Sequence, residues 1–349
     1  MARISLLALP SLVLRMTIRE MSNGDIFHLS LVSKKSKKAV TSVMKKADVL
    51  HLCVNKDMVV TIQDEHQYIW YGIKLKKSEY ETLNPVDIGN AELFEIQQMS
   101  KDGNCKNCEN LSPATLLNQL LYIYRRSEFD FIDIQQNAHL IDIRSVSKAI
   151  PKVGQLSGLP TSSTRHNQLI LKAFPHVECL RIVQPLFLNG DDYHSAFTQN
   201  ITRIELGKAG RTPVPFSLTL DHLLVSNCLS VKVLDGNFSE RKYNQFFRMW
   251  MNGSAPKLEH LHVTTVNNEI NENSLLRKLI CHDATSEVYR KQPNKPGYLH
   301  QQLVTRPKYG GVCIARRDGT KAVVTVENNE LEFFVFHPHC YRNDLDFIF

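Results

Sequence analysis

No run of about eighteen uninterrupted apolar residues occurs in this 349-residue chain, so a membrane-spanning helix of ordinary length is not expected. Clustered cysteine is also lacking. The eight cysteines are scattered at 53, 105, 108, 179, 228, 281, 313 and 340, which suits small buried hydrophobes in a reducing compartment better than a disulfide framework. Cys105 and Cys108 have metal-ligand spacing, and His337, His339 and Cys340 could complete a tetrahedron. They lie more than two hundred residues away, however, and no second C-x-x-C exists. No metal and no other cofactor is expected. The fixed Cys/His series of a RING-type ligase is missing as well.

Catalytic signatures are missing too. The chain has no G-x-S-x-G elbow, no H-E-x-x-H and no dinucleotide fingerprint. Gly207-Lys-Ala-Gly210-Arg-Thr212 has glycines and a lysine but not the order that carries a phosphate-binding lysine into a helix. Asp191-Asp192 and Asp221-His222 sit at the edges of apolar segments, where capping and turn roles are commoner than acid–base roles. No catalytic residue is assigned, and the chain is not read as an enzyme. Charge of one sign is scarce: 42 basic against 35 acidic residues leave a mild formal excess of +7.

The N-terminal segment is denser in signal. Met1 to Leu14 has one arginine and an apolar run, as a secretory leader would. The residues that follow, Arg15 to Glu20, are charged and bulky and offer no small-residue cleavage site. The expected location is therefore intracellular, cytoplasmic or nuclear. Pro10 has no amide hydrogen and a fixed φ, which suits the first turn of a helix. Val13, Leu14, Ile18 and Met21 follow at helical spacing. Asn23-Gly24-Asp25 breaks the chain, and Ile26, Leu29 and Val32 start a second stripe, which predicts a helical hairpin with apolar faces. About forty residues cannot bury all of that on themselves, so part of it is expected to face a partner. Lys34-Lys35-Ser36-Lys37-Lys38 reads as the solvated C-terminal end of the second helix, where cations suit the helix dipole. Without interleaved aromatics it gives no base-stacking surface, and nucleic-acid binding is not expected.

Taken in order, Leu9-Pro10, the amphipathic stretch to Met21, Asp25 and Leu29-Ser-Leu-Val-Ser-Lys34 resemble an F-box in register as well as composition. Thr17, Asn23 and Ser36 depart from that pattern, standing where the family has a large aliphatic, a proline and often a bulky aromatic. The resemblance implies docking to the small Skp adaptor, and through it to a cullin, by Leu9, Pro10, Val13, Leu14 and Val32.

From Val49 the pattern changes to β-rich runs, Val49–Val54, Met58–Ile62 and Tyr68–Ile73, separated by Asn55-Lys56-Asp57 and Asp64-Glu65-His66. These read as hairpin strands. A polar linker is expected over about 99–111. Ser112 then caps a helix with Pro113 at its first position and Leu116, Leu117, Leu120, Leu121 and Tyr124 as its buried stripe. The stretch from about 75 to 165 otherwise carries little motif content.

The second half repeats. An apolar triplet recurs as Val177, Leu180, Ile182; Ile201, Ile204, Leu206; Cys228, Val231, Val233; and Leu258, Leu261, Val263, with steps of 24, 27 and 30 residues. A helix over about 239–252 precedes the last, presenting Tyr243, Phe246, Phe247 and Trp250 and ending at Gly253. Strand plus helix at this period resembles a degenerate leucine-rich repeat. Val312 and Ile314, a turn at Asp318-Gly319, Ala322, Val324 and Val326, a turn at Asn328-Asn329, then ELEFFVF read as a meander.

The phrases TLDHLLVSNCLSVKV, FSERKYNQFFRMWMNGSAPKLEHLHV and GGVCIARRDGTKAVVTV resemble the F-box associated domain, type 2, of the large nematode F-box families. The expected architecture is α+β: an F-box over 1–45, a strand-rich segment with a helix over 46–165, and an associated domain over 166–349 with leucine-rich-repeat-like units and a C-terminal β-meander. The expected role is the substrate adaptor of an SCF-type ubiquitin ligase that holds an unidentified protein target. The competing role is a ligase-independent repeat scaffold.

Overall fold

The computed structural model describes residues 6–63, 68–75, 85–90, 93–99, 111–150, 152–158, 164–182, 194–207, 218–234, 236, 238–265, 270–283, 311–327 and 329–337. The chain divides into two compact units, Met1–Gly154 and Gln155–Phe349.

The first unit opens with three helices rather than a hairpin: α1 (Ser11–Glu20), α2 (Asn23–Val32) and α3 (Lys34–Val43). The break between α1 and α2 is Met21-Ser22. Ser22 accepts a hydrogen bond from the Asp25 amide at 3.2 Å, so Asn23-Gly24-Asp25 forms the first turn of α2. Asn23 therefore occupies the first helical position, where a proline would also be at home.

The lysine cluster likewise starts a helix instead of ending one. Ser33 and Ser36 form a reciprocal capping box, with Ser36 N–H to Ser33 Oγ at 3.1 Å and Ser33 N–H to Ser36 Oγ at 2.9 Å. This box overrides the unfavourable placement of cations at a helix N-terminus. It also explains how a serine can be fully buried at this position.

Strands β1 (Val49–Val54), β2 (Met58–Gln63), β3 (Tyr68–Leu75) and β4 (Leu93–Met99) pair antiparallel in succession. Asn55-Lys56-Asp57 turns the first hairpin as expected, while Asp64-Glu65-His66 and most of the expected linker lie outside the described residues. Helix α4 (Pro113–Ile123) is capped by Ser112 and buries its leucines together with Gln119. The stretch read as poor in motifs holds β4 and more: β5 (Phe129–Ile134), parallel to β1, then α5 (Ile143–Ala149) and β6 (Val153–Gly158). FDFIDI and VGQLSG alternate too weakly to announce themselves. They bury Phe129, Ile132, Ile134, Val153 and Leu156 because of what surrounds them.

The second unit begins within β6 and continues through α6 (Thr164–Ala173), β7 (Cys179–Ile182), α7 (His194–Thr198), β8 (Arg203–Leu206), α8 (Leu220–Leu224), β9 (Ser230–Val233), α9 (Glu240–Met251) and β10 (His260–Thr264). Then follow α10 (Glu272–Leu275), β11 (His282–Asp283), β12 (Val312–Ala315), β13 (Lys321–Glu327) and β14 (Glu330–Phe336). The four triplets became four neighbouring parallel strands, in register: Leu180 faces Ile204, then Val231, then Leu261. Ile182, Leu206, Val233 and Val263 form the next rung, and all eight are buried.

The meander attaches by β14 running antiparallel to β10, which extends the first rung through Phe333 to Val324 and Val312. Phe333 sits against Phe246, Phe247 and Trp250 of α9 at ring-centroid distances of 5.8, 5.2 and 5.1 Å, so the helix covers this face of the sheet. Gly207 stands at φ +99°, and a Cβ there would lie 2.5 Å from the Leu234 carbonyl oxygen. It is a glycine for close passage of two strand ends; the rest of the Gly207–Thr212 phrase lies outside the described residues.

Candidate functional site

The three N-terminal helices bury one set of apolar residues and expose another. Ile18, Ile26, Phe27 and Val40 are turned inward. Phe27 packs on Tyr71 of β3 with ring centroids 5.6 Å apart, and Arg125 donates to the Thr41 carbonyl at 3.0 Å through Nε. The buried face of α2 is thus Ile26, Phe27 and Ser30, shifted from the expected Ile26, Leu29, Val32 stripe, because α2 is apolar on two sides.

Of the expected docking residues, Pro10, Val13 and Val32 fall on the other set, and Leu9 and Leu14 lie between the two. Pro10 is exposed, Leu9 and Leu14 are half-buried, Val13 is 45 % exposed, and Val32, the last residue of α2, is 73 % exposed. Two further residues join them that the sequence reading did not single out, Leu12 at 69 % and Met16 at 59 %. Leu12, Val13 and Met16 share a helix face by their spacing of one, three and four. Their signal was present in the sequence, but single-helix periodicity does not say which apolar stripe is the inner one. Thr17 sends its hydroxyl to the Val13 carbonyl at 2.9 Å, a helix-internal bond that gives this face no extra apolar area. At the start of α3, Lys37 places its ammonium 4.0 Å over the Tyr122 ring.

In the second unit the sheet face turned away from α9 carries a polar rung beside an apolar cluster of Val323, Phe336, Cys313 and Phe334. One rung runs Arg181, Glu205, Lys232, His262, Glu332 and Thr325 across six strands. Glu205, buried, lies 3.8 Å from both Arg181 and Arg203, so opposite charges alternate along the rung. His222, for which a capping or turn role is expected, is buried: its Nδ1 accepts from the Thr219 amide at 2.9 Å and its ring stacks on Phe197, which makes it a cap for α8. Asp191-Asp192, Cys105, Cys108, His339 and Cys340 lie outside the described residues. His337 is described, with Nε2 3.2 Å from the Leu258 carbonyl.

Residues 6–48, which span all three helices, match the F-box domain family, and residues 192–263, from α7 through most of β10, match the F-box associated family. The chain carries an F-box and an F-box associated domain. Searches among curated proteins and among solved structures returned no match. The F-box is thus the helical module with its inner face closed and its α1 face open. The associated domain contains the in-register strands β8, β9 and β10 with helix α9. Among the described residues no helix is long and apolar enough to cross a membrane.

Proposed function

We propose that this chain is the substrate-recognition subunit of an SCF-type ubiquitin ligase. Its F-box docks on the Skp adaptor and through it on a cullin, while the body holds a protein target. The observation that carries this reading is the exposure of Leu12, Val13, Met16 and Val32 on a module whose inner face is already filled. Four large apolar side chains left in water on so small a module are a surface offered to a partner. The chain would perform no chemistry. It would hold a target lysine near a conjugating enzyme brought by other subunits, which raises the effective concentration of the reacting groups.

The test is binding of the full-length chain to a Skp adaptor, comparing wild type with Val13→Asp and Val32→Asp. Both sites are exposed, so the fold is expected to tolerate the change, and retained thermal unfolding checks this. A carboxylate buried in an apolar contact should weaken binding by about tenfold or more per site. Equal binding by wild type and both variants removes the docking surface from this face. A wild-type chain that does not bind any Skp adaptor leaves the ligase-independent scaffold as the standing reading.

A further inference from the structure

The polar rung of the second unit gathers donors of a different kind where β10 meets β14. The antiparallel register sets His262 directly opposite Glu332 and Thr264 opposite Glu330, so the imidazole and both carboxylates stand on one side of the sheet. One ligand atom from each of His262, Glu330 and Glu332 lies within 4.8 Å of the others. His262 is 8 % exposed, Glu332 is half-buried and Glu330 is exposed, which leaves the cluster walled on one side and open on the other.

The next strand adds more acid. Glu327 of β13 pairs with Glu330, and Thr325 pairs with Glu332, its buried hydroxyl having no hydrogen-bond partner among the described residues. On the opposite flank Lys232 of β9 pairs with His262, and His260, on the same strand, stacks its ring on Phe334 at 4.6 Å. Three carboxylates therefore face one lysine around a nearly buried imidazole. Like charges crowded at the edge of a protein interior repel, and a cation relieves that repulsion.

We propose that His262, Glu330 and Glu332 bind a divalent transition-metal cation of the zinc class. One imidazole nitrogen and two carboxylate oxygens form a borderline donor set suited to zinc, and three protein ligands with an open side leave room for water to complete the coordination. Bound there, the ion ties the last strand of the meander to the last strand of the parallel ladder. The inference is independent of the adaptor reading.

The bland competitor is a simple ion pair, since His262 Nε2 lies 3.7 Å from Glu330 Oε2. The two separate by zinc itself: a metal site binds the ion and is stabilised by it, whereas an ion pair does neither.

The experiment uses the full-length protein, stripped with a chelator and titrated with Zn²⁺ by calorimetry and by thermal unfolding, with Glu330→Gln, Glu332→Gln and His262→Asn alongside. Wild type is expected to bind one ion at this site and to melt higher with zinc than without. Each variant should lose about tenfold or more in affinity. Exposed Glu330 provides the variant least exposed to misfolding. Co²⁺ in place of Zn²⁺ should give ligand-field absorption without a thiolate charge-transfer band, which separates this site from any cysteine site. Wild type that does not bind zinc, variants that bind it as wild type does, or a thiolate band that accounts for all the bound cobalt would each overturn the proposal.

Discussion

Gln119 of α4 directs its side-chain amide at Ser30 of α2, donating to the Ser30 hydroxyl at 2.8 Å and to the Ser30 carbonyl at 3.0 Å, with both residues buried. The F-box is therefore built into the first unit rather than hung from it. Removing residues 1–45 would uncover Gln119 and Tyr71, so point variants are the sound way to probe docking.

Gln119→Ala should destabilise the protein by about 1–3 kcal/mol, because it leaves the Ser30 carbonyl without its donor in a buried site. A urea midpoint unchanged from wild type would show that the pair contributes nothing.

His51 of β1 is half-buried beside Phe131, and burial pulls its pKa below the ordinary 6.5, with Asp133 partly opposing. The folded state thus favours the neutral ring. Its stability contribution is complete above the unfolded value and is lost as pH falls through 6.5 toward the folded one. His51→Gln, which cannot titrate, should lose less stability than wild type between about pH 7.5 and 5.5. Parallel stability curves for the two proteins would refute this.

The cysteines should sort by burial. Cys179 and Cys228 are buried, with thiols pushed up to about 12 and about 11, and Cys53 is pushed to about 11 by burial and Asp133, whereas Cys281 is exposed. Alkylation of the native protein at neutral pH should label Cys281 far ahead of the other three, which become reactive on unfolding. Mass spectrometry of timed samples reads the order directly.

Arg316 is buried at the end of α9, where Nε donates to the Trp250 carbonyl at 3.2 Å and one terminal nitrogen to the Ser254 and Ala255 carbonyls at 3.0 and 3.3 Å. Its guanidinium lies 4.6 Å over the Trp250 ring. Arg316→Lys keeps the charge but not the fork. It should cost about 1.5–3 kcal/mol, read as a lower denaturant midpoint with adaptor binding unaltered. Wild-type stability in this variant would mean that a point charge suffices.

Much of the architecture was legible because it is carried by short-range pattern. Ser112-Pro113 and the leucine stripe of α4, the aromatic face of α9 with Gly253 behind it, and the four apolar triplets each declare their element within a dozen residues. Helix α3 was not legible, since KKSKKAVTSV has little apolar content; a serine pair starts it and buried Val40 holds it. Strands β5 and β6 were missed for a related reason, their burial being conferred by neighbours.

The sequence by itself determined that an F-box leads the chain, that parallel strands of matched register follow, and that a meander closes the described part. Those features depend on contacts between residues near one another or on repeats of one local unit. Only the tertiary structure decided which apolar stripe of α1 faces outward, and that β14 lies beside β10. Alternation assigns a strand its two faces but not its neighbour, and His262 and Glu332 are separated by 70 residues. Their meeting rests on that long-range pairing, which no local pattern encodes.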